Sequence, residues 1–100
     1  MWPEMKHAII LSPEAIEDLR RLNASIRTQV KEALEIHLRH EPLKESKSRI
    51  KRLRGVRRPG YRLRIGEIRV FYDVSDDTVE VLAIVPKSKA SDWLGRVGAT

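Results

Sequence analysis

The chain has 100 residues, a net charge of +6 and no cysteine. This length suits one small domain with a modest core, and the missing cysteine excludes disulfides and thiolate chemistry. The basic balance favours phosphates or acidic proteins as partners. No apolar run approaches the length of a membrane span, so we expect no membrane partner. The missing cysteine suits a reducing compartment, so we expect a cytoplasmic location.

The N-terminal part of the sequence has the pattern of one strand followed by two helices. Residues 7–11 are a short apolar run and predict a strand. The Ser-Pro-Glu sequence at 12–14 predicts a helix start, because Ser caps, Pro fits the first helical position and Glu complements the positive helix end. Asn23 predicts the cap of a second helix that ends near Pro42, so the two helices should form a hairpin.

The next segment, residues 43–60, is polar, basic and rich in breakers of regular structure. We expect a loop with a short helix or strand near residues 50–53. The segment carries a run of cations that leads into the following strand. These cations are Lys51, Arg52, Arg54, Arg57 and Arg58.

A β-hairpin follows, with strands predicted at 61–65 and 68–74. The first strand alternates apolar and basic residues, which is typical of a strand with one buried face. Gly66 and Glu67 form a two-residue loop, and a leading Gly favours a type II′ turn. Such a turn fixes the pairing register of the two strands.

In that register, one hairpin face is apolar and the opposite face is basic. Arg64 faces Arg69, and Arg62 lies on the same side opposite Phe71. Directly opposed like charges destabilise a sheet. Three arginines beside an aromatic ring, next to a basic segment, therefore predict an anion-binding surface; the alternative is a solvated outer face.

The C-terminal part predicts one more strand and a short helix. Residues 75–77 predict a turn and 78–85 a strand inside the sheet, while 88–94 predict a helix anchored by Trp93, with a tail from Gly95. The predicted class is α+β: an N-terminal strand, a helical hairpin on one face of one sheet, an antiparallel β-meander and a short C-terminal helix. The arginine-bearing sheet face is predicted to be open.

The sequence offers many residues that could stabilise negative charge but few that could transfer a proton. RNA cleavage by its own 2′-hydroxyl needs a proton acceptor, positive charge around the phosphate and a proton donor for the leaving 5′-oxygen. Arginines supply the charge but transfer protons poorly. Lys87 and Lys89 follow the last strand and are candidates for proton transfer, whereas Tyr61 and Tyr72 fall on the predicted core face. The three scattered histidines predict no metal site.

Segments along nearly the whole chain resemble the RelE/ParE toxins of type II toxin–antitoxin systems. They are LSPEAIEDL at 11–19, RLRG at 52–55, YRLRIGEIRVFYDV at 61–74 and VEVLAIV at 79–85, in that order. The resemblance implies one toxin domain over residues 1–100 and a cognate antitoxin as partner.

The RelE branch implies a ribosome-dependent endoribonuclease that cuts mRNA. Its basic hairpin residues match Arg62, Arg64 and Arg69, and the arginine of its Leu-Arg-Gly element matches Arg54. RelE-like enzymes also have an Arg after the last strand and a Tyr in the terminal helix, where this sequence has Lys87 and no Tyr. The ParE branch, which inhibits DNA gyrase, and a non-catalytic RNA-binding module remain alternatives.

We therefore predict a toxin that inhibits translation by cleaving ribosome-bound mRNA without a metal or cofactor. The predicted catalytic residues are Arg62, Arg64, Arg69 and Lys87. The predicted RNA-binding residues are Lys51, Arg52, Arg54, Arg57, Arg58 and Lys89.

Overall fold

The computed structural model describes residues 6–97 and has the predicted α+β architecture around one five-stranded sheet. The strands are β1 (Ala8–Leu11), β2 (Ile50–Arg52), β3 (Tyr61–Ile65), β4 (Ile68–Ser75) and β5 (Thr78–Pro86). The helices are α1 (Pro13–Arg21), α2 (Ala24–Ala33), which continues into a π-helical turn (Leu34–Leu38), and α3 (Lys87–Val97). Within residues 6–97, every helix is too short or too polar to cross a membrane.

Side-chain caps start the two helices of the helical hairpin where the sequence predicts. The Ser12 hydroxyl accepts a hydrogen bond from the Ala15 N–H at 3.1 Å, and the Asn23 side chain accepts one from the Ile26 N–H at 2.9 Å. Each cap satisfies a backbone donor that the first helical turn leaves free. The second helix ends at the π-helical turn, a few residues before Pro42.

The sheet has the spatial order β1-β5-β4-β3-β2, and its hairpin has the predicted register. Gly66 joins β3 to β4 with a φ of 56°, in the left-handed region that glycine enters without strain. β5 lies inside the sheet, as predicted; it runs antiparallel to β4 and parallel to β1.

The main core lies between the sheet and the helical hairpin. Tyr72 is fully buried there, its hydroxyl donates a hydrogen bond to the Pro42 carbonyl at 2.6 Å, and its ring stacks on Tyr61 with centroids 5.5 Å apart. The assignment of both tyrosines to the core face is therefore confirmed. Other buried members of this core include Ala15, Val30, Leu38, Leu63, Val70, Val79 and Val81.

The opposite face of the sheet is not fully open, and that prediction was wrong over the middle of the sheet. Trp93 of α3 is 3% exposed and stacks on Phe71 with centroids 4.8 Å apart, as its predicted anchoring role requires. Phe71 and Ala83 form an apolar strip on this face, and α3 buries it. The helix continues through Gly95, so the tail predicted there is also wrong as far as Val97.

Polar side chains of the α1 segment cover the part of β5 that extends beyond the short strand β1. The Ser12 hydroxyl donates to the Leu82 carbonyl at 3.0 Å, and the Asp18 carboxylate accepts from the Ile84 N–H at 2.9 Å. The exposed edge of a central strand is thereby satisfied. Burial raises the pKa of Asp18, while the hydrogen bond from Ile84 opposes that rise.

Candidate nucleic-acid interface

Four basic side chains share the outer face of the sheet, on the side away from the helical hairpin. Arg64 of β3 lies opposite Arg69 of β4, and Arg62 lies between Lys51 of β2 and Phe71 of β4. Because side chains alternate along a strand, all four cations project to one side. We call Lys51, Arg62, Arg64 and Arg69 the basic face.

Arg69 is the most enclosed member of the basic face, with 6% of its surface exposed. Its Nη1 donates to the Gly66 carbonyl at 2.8 Å and the Ile68 carbonyl at 3.0 Å, so the guanidinium also fastens the hairpin turn. Burial lowers the pKa of Arg69, and repulsion from Arg62 and Arg64 adds to the effect. An arginine nevertheless stays charged at neutral pH, so this repulsion persists in the folded protein.

Arg62 and Arg64 have no acidic partner among residues 6–97. Arg64 is exposed, whereas Arg62 is half-buried and its Nε is a buried donor without a hydrogen-bond acceptor. Leaving a buried donor unsatisfied typically costs about 1–3 kcal/mol. A phosphate bound at this face would offset both the missing hydrogen bond and the repulsion between the cations.

The lysines that follow the last strand lie in two different places. The Lys87 N–H donates to the Glu67 carbonyl at 2.7 Å, which places the start of α3 beside the hairpin turn and the Arg64–Arg69 pair. Lys89 instead lines a cavity of about 510 Å³ together with Asp18 of α1. The structure therefore places the Lys87 backbone beside the hairpin turn, and Lys89 at a cavity that Val85, the cross-strand partner of Arg69, also lines.

The remaining predicted RNA-binding residues also separate into groups. Arg52 pairs with Tyr61 and so lies on the other side of the sheet from Lys51. Arg54 and Arg57 are exposed in the β2–β3 loop and make no ion pair with any described residue. Their neighbour Arg58 is different, because it binds two carboxylates.

Arg58 joins the β2–β3 loop to the two strands at the middle of the sheet. Its Nε donates to Asp73 at 2.7 Å, and its Nη2 donates to Glu80 at 2.6 Å. The hydrogen bond to Asp73 is the main cause that raises the pKa of Arg58. The charge of this arginine is thus compensated within the protein, unlike the charges of Arg62 and Arg64.

The sequence interpretation missed the two carboxylates that hold Arg58. Asp73 and Glu80 are cross-strand partners and share the outer face with Arg69 and Phe71. A signal was present, since Asp73 stands two positions after Phe71 in a strand and must therefore point to the same side. An acidic residue on an otherwise basic and aromatic face requires a partner.

The chemistry available at the basic face is mainly the stabilisation of negative charge. Tyr72 is buried in the main core, and burial raises the pKa of its hydroxyl. The histidines, aspartates and glutamates of residues 6–97 form no cluster that could hold a metal ion. Lys87 is the predicted proton-transfer residue that lies at the turn end of this face.

Comparison with solved structures finds the same fold in several toxins. A toxin–antitoxin complex RelBE2 from Mycobacterium tuberculosis is 27% identical over 81% of this chain and 98% of the matched chain, with a TM-score of 0.67. The archaeal RelE–RelB complex from Pyrococcus horikoshii OT3 is 26% identical over 86% and 100% of the two chains, with a TM-score of 0.69. A mutant of the E. coli toxin RelE in the free state is 20% identical over 95% and 96%, with a TM-score of 0.71.

Sequence comparison supports the same relationship at the level of the family. A search of curated proteins finds no match. The profile of the family described as ParE toxin of type II toxin–antitoxin system, parDE, matches residues 9–90. The match covers most of the strands and helices described above, including the whole basic face. The chain therefore belongs to the ParE toxin family of type II toxin–antitoxin systems, within the RelE/ParE superfamily.

Proposed function

We propose that this toxin binds RNA phosphates through its basic face and inhibits translation by cutting mRNA on the ribosome. The observation that carries the proposal is the basic face itself, where four cations share one side of the sheet. Neither Arg62 nor Arg64 has an acidic partner within the described part of the chain. The planar donors of arginine bind phosphate strongly, because two parallel N–H groups reach two phosphate oxygens.

In the proposed reaction, the RNA supplies its own nucleophile. The 2′-oxygen loses its proton and attacks the adjacent phosphorus, and the bond to the 5′-oxygen breaks. The products are a 2′,3′-cyclic phosphate and a 5′-hydroxyl, so no metal, cofactor or water is consumed. Arg62, Arg64 and Arg69 stabilise the charge that develops on the phosphate, and Lys87 is the proposed proton-transfer group.

The missing tyrosine of α3 makes slow cleavage the expected outcome. Charge stabilisation contributes about 10²–10³-fold per donor, and general acid–base catalysis typically contributes about 10²–10⁴-fold. A toxin that acts mainly by charge stabilisation can still cleave mRNA when the ribosome orients the 2′-hydroxyl for attack. Cleavage should accordingly depend on the ribosome and be weak on free mRNA.

Purified toxin, ribosomes and a defined mRNA test the proposal by primer extension. We expect cleavage in the decoding site, and we expect Arg64→Ala to lower its rate more than Lys89→Ala, which changes a cation that is not a member of the basic face. Lys87→Ala should remove the basic limb of the pH–rate profile if Lys87 transfers a proton. Ribosome-bound mRNA that stays intact with folded toxin would contradict the ribonuclease activity.

Inhibition of DNA gyrase is the second candidate function. It is favoured by the family match, which is described as a ParE toxin, and by the absence of a tyrosine from α3. A supercoiling assay with the same preparation separates the two candidates. Blocked supercoiling together with intact mRNA would show that the toxin inhibits DNA gyrase and does not cleave mRNA.

A cognate antitoxin is the proposed protein partner. Several relatives of the same fold are solved as toxin–antitoxin complexes, and the basic face is complementary to an acidic segment. We expect such a segment to cover the basic face and to stabilise the toxin by mass action. Chemical modification of arginines in the complex tests this, because Arg62 and Arg64 should become protected. Equal modification in the free and bound toxin would exclude direct occlusion.

A further inference from the structure

The loop between β2 and β3, residues 54–59, is fastened across the outer face of the sheet at both ends. At its start, Leu53 packs against the Phe71–Trp93 cluster, and the Leu53 N–H donates to the Gly60 carbonyl at 2.8 Å. At its end, Pro59 is fully buried. The loop therefore has a defined path even though it contains no regular secondary structure.

Arg58 makes the long-range contacts that hold this loop. It reaches Asp73 of β4 and Glu80 of β5 with separations of 2.7 Å and 2.6 Å. Asp73 also accepts the Gly60 N–H at 2.5 Å, so one carboxylate fixes both the arginine and the backbone beside it. Gly60 suits this close approach, because a Cβ there would lie 3.3 Å from Asp73 Oδ1.

The residue before Arg58 is free to bind a ligand. Arg57 is exposed and has no ion-pair partner among residues 6–97. It lines a groove of about 670 Å³ together with Leu82 and Trp93. Trp93 stacks on Phe71, and Phe71 is the cross-strand partner of Arg62, so these two contacts link one wall of the groove to the basic face.

We propose that Arg58 is a positioning residue, which binds Asp73 and Glu80 so that Arg57 can contact a further RNA phosphate beside this groove. The inference rests on the proposed function. In this arrangement, Arg58 acts through the loop and does not itself contact RNA. Asp73 and Glu80 therefore support RNA binding indirectly, by holding Arg58, although both are negatively charged.

A charge reversal at Glu80 tests the proposal, because the positioning role and general electrostatic attraction predict opposite changes in RNA affinity. Glu80→Lys adds positive charge, so general attraction alone predicts tighter binding of single-stranded RNA. Positioning predicts weaker binding, because a lysine at this place repels Arg58 and releases the loop. We expect about fivefold weaker binding and a log–log salt slope shallower by about 0.7, the value for one phosphate contact on a single strand.

Asp77→Lys is the matched control. Asp77 lies at the same end of the sheet and lines the same cavity as Glu80, and within residues 6–97 its side chain accepts a hydrogen bond only from the Thr78 hydroxyl, at 3.4 Å. This variant makes the same change in charge but removes no ion-pair partner of Arg58, and we expect RNA binding that is equal to or tighter than that of the wild type. Thermal unfolding of both variants confirms that they are folded at the assay temperature.

Two further measurements separate the possible failures. In an Arg57→Ala background, Glu80→Lys should weaken binding no further, and amide hydrogen exchange of residues 54–57 should rise in Glu80→Lys but not in Asp77→Lys. Tighter RNA binding by Glu80→Lys, or unchanged exchange in the loop, overturns the positioning role alone. Wild-type toxin that binds no single-stranded RNA overturns the proposed function and this inference together.

Discussion

Tyr72 combines packing and polarity in the core. Its ring is fully buried, and its hydroxyl donates a hydrogen bond to the Pro42 carbonyl. Pro42 is also buried and lies in the segment after the helical hairpin. The phenol thereby ties this segment to β4. A conservative substitution that keeps the ring isolates the contribution of the hydrogen bond.

Tyr72→Phe should lower the free energy of unfolding by about 1–3 kcal/mol, because it leaves the buried carbonyl without a donor. Urea unfolding measures the change. Burial raises the pKa of Tyr72 above its ordinary value of 10.0, so the unfolded chain loses this proton first and wild-type stability falls as the pH rises beyond 10.0. The variant lacks this effect. The difference between the two proteins should therefore shrink above that pH, and a constant difference would contradict the assignment.

Arg69 has two roles that a sequence pattern cannot separate. The alternation of the hairpin correctly placed it on the basic face. Its burial and its hydrogen bonds to Gly66 and Ile68 depend on how the strand twists at the turn. A lysine would keep the charge but could not reproduce the geometry of a planar guanidinium at two carbonyls.

The hairpin turn is the element that sets the register of the basic face. Gly66→Ala should destabilise the protein by about 1–2 kcal/mol, because a residue with a Cβ is strained at a left-handed φ of 56°. The added methyl meets no atom within 4 Å, so the cost is conformational. Thermal unfolding measures it.

Gly95→Ala is the matched control in α3, where the added Cβ also meets nothing within 4 Å and φ is not positive. Alanine is favoured over glycine in a helix, so this variant should be more stable by about 0.5–1 kcal/mol. Equal effects at Gly66 and Gly95 would show that the turn imposes no special conformation.

Helix α3 is the element whose position was least predictable from sequence. Its existence and the packing role of Trp93 could be predicted from composition, but its docking partner could not. Phe71 lies on the same face of β4 as Arg69, so the sequence predicts that this face is both aromatic and basic. The structure divides it: α3 covers the aromatic part, and the cations occupy the part over β2 and β3.

At the scale of the whole molecule, RNA affinity should depend strongly on salt. About four phosphate contacts on a single strand correspond to a log–log slope near −3. Replacing Lys51, Arg62 and Arg64 together by Ala should flatten the slope by about two units. These three side chains hold no ion pair within the described chain, so the variant should remain folded. Fluorescence anisotropy with a short RNA measures the slope, and an unchanged value would exclude the basic face.

The predictable parts of the molecule were those governed by local rules. Caps at Ser12 and Asn23 and the register around Gly66 follow from the chemistry of adjacent residues. The pairing of β1 with β5 and the contacts of Arg58 join distant parts of the chain. They depend on the completed fold, so a single sequence indicates that such partners are needed without identifying them.

The parallel pairing of the first and last strands has a consequence for how the toxin is made. β1 pairs with β5, and the Ser12 hydroxyl reaches Leu82 across 70 positions of the sequence. β5, one of the inner strands of the sheet, is therefore synthesised long after its parallel partner β1. Long-range pairing of this kind forms slowly and late. We therefore expect a nascent chain to lack the completed sheet until β5 has left the ribosome and can pair with β1.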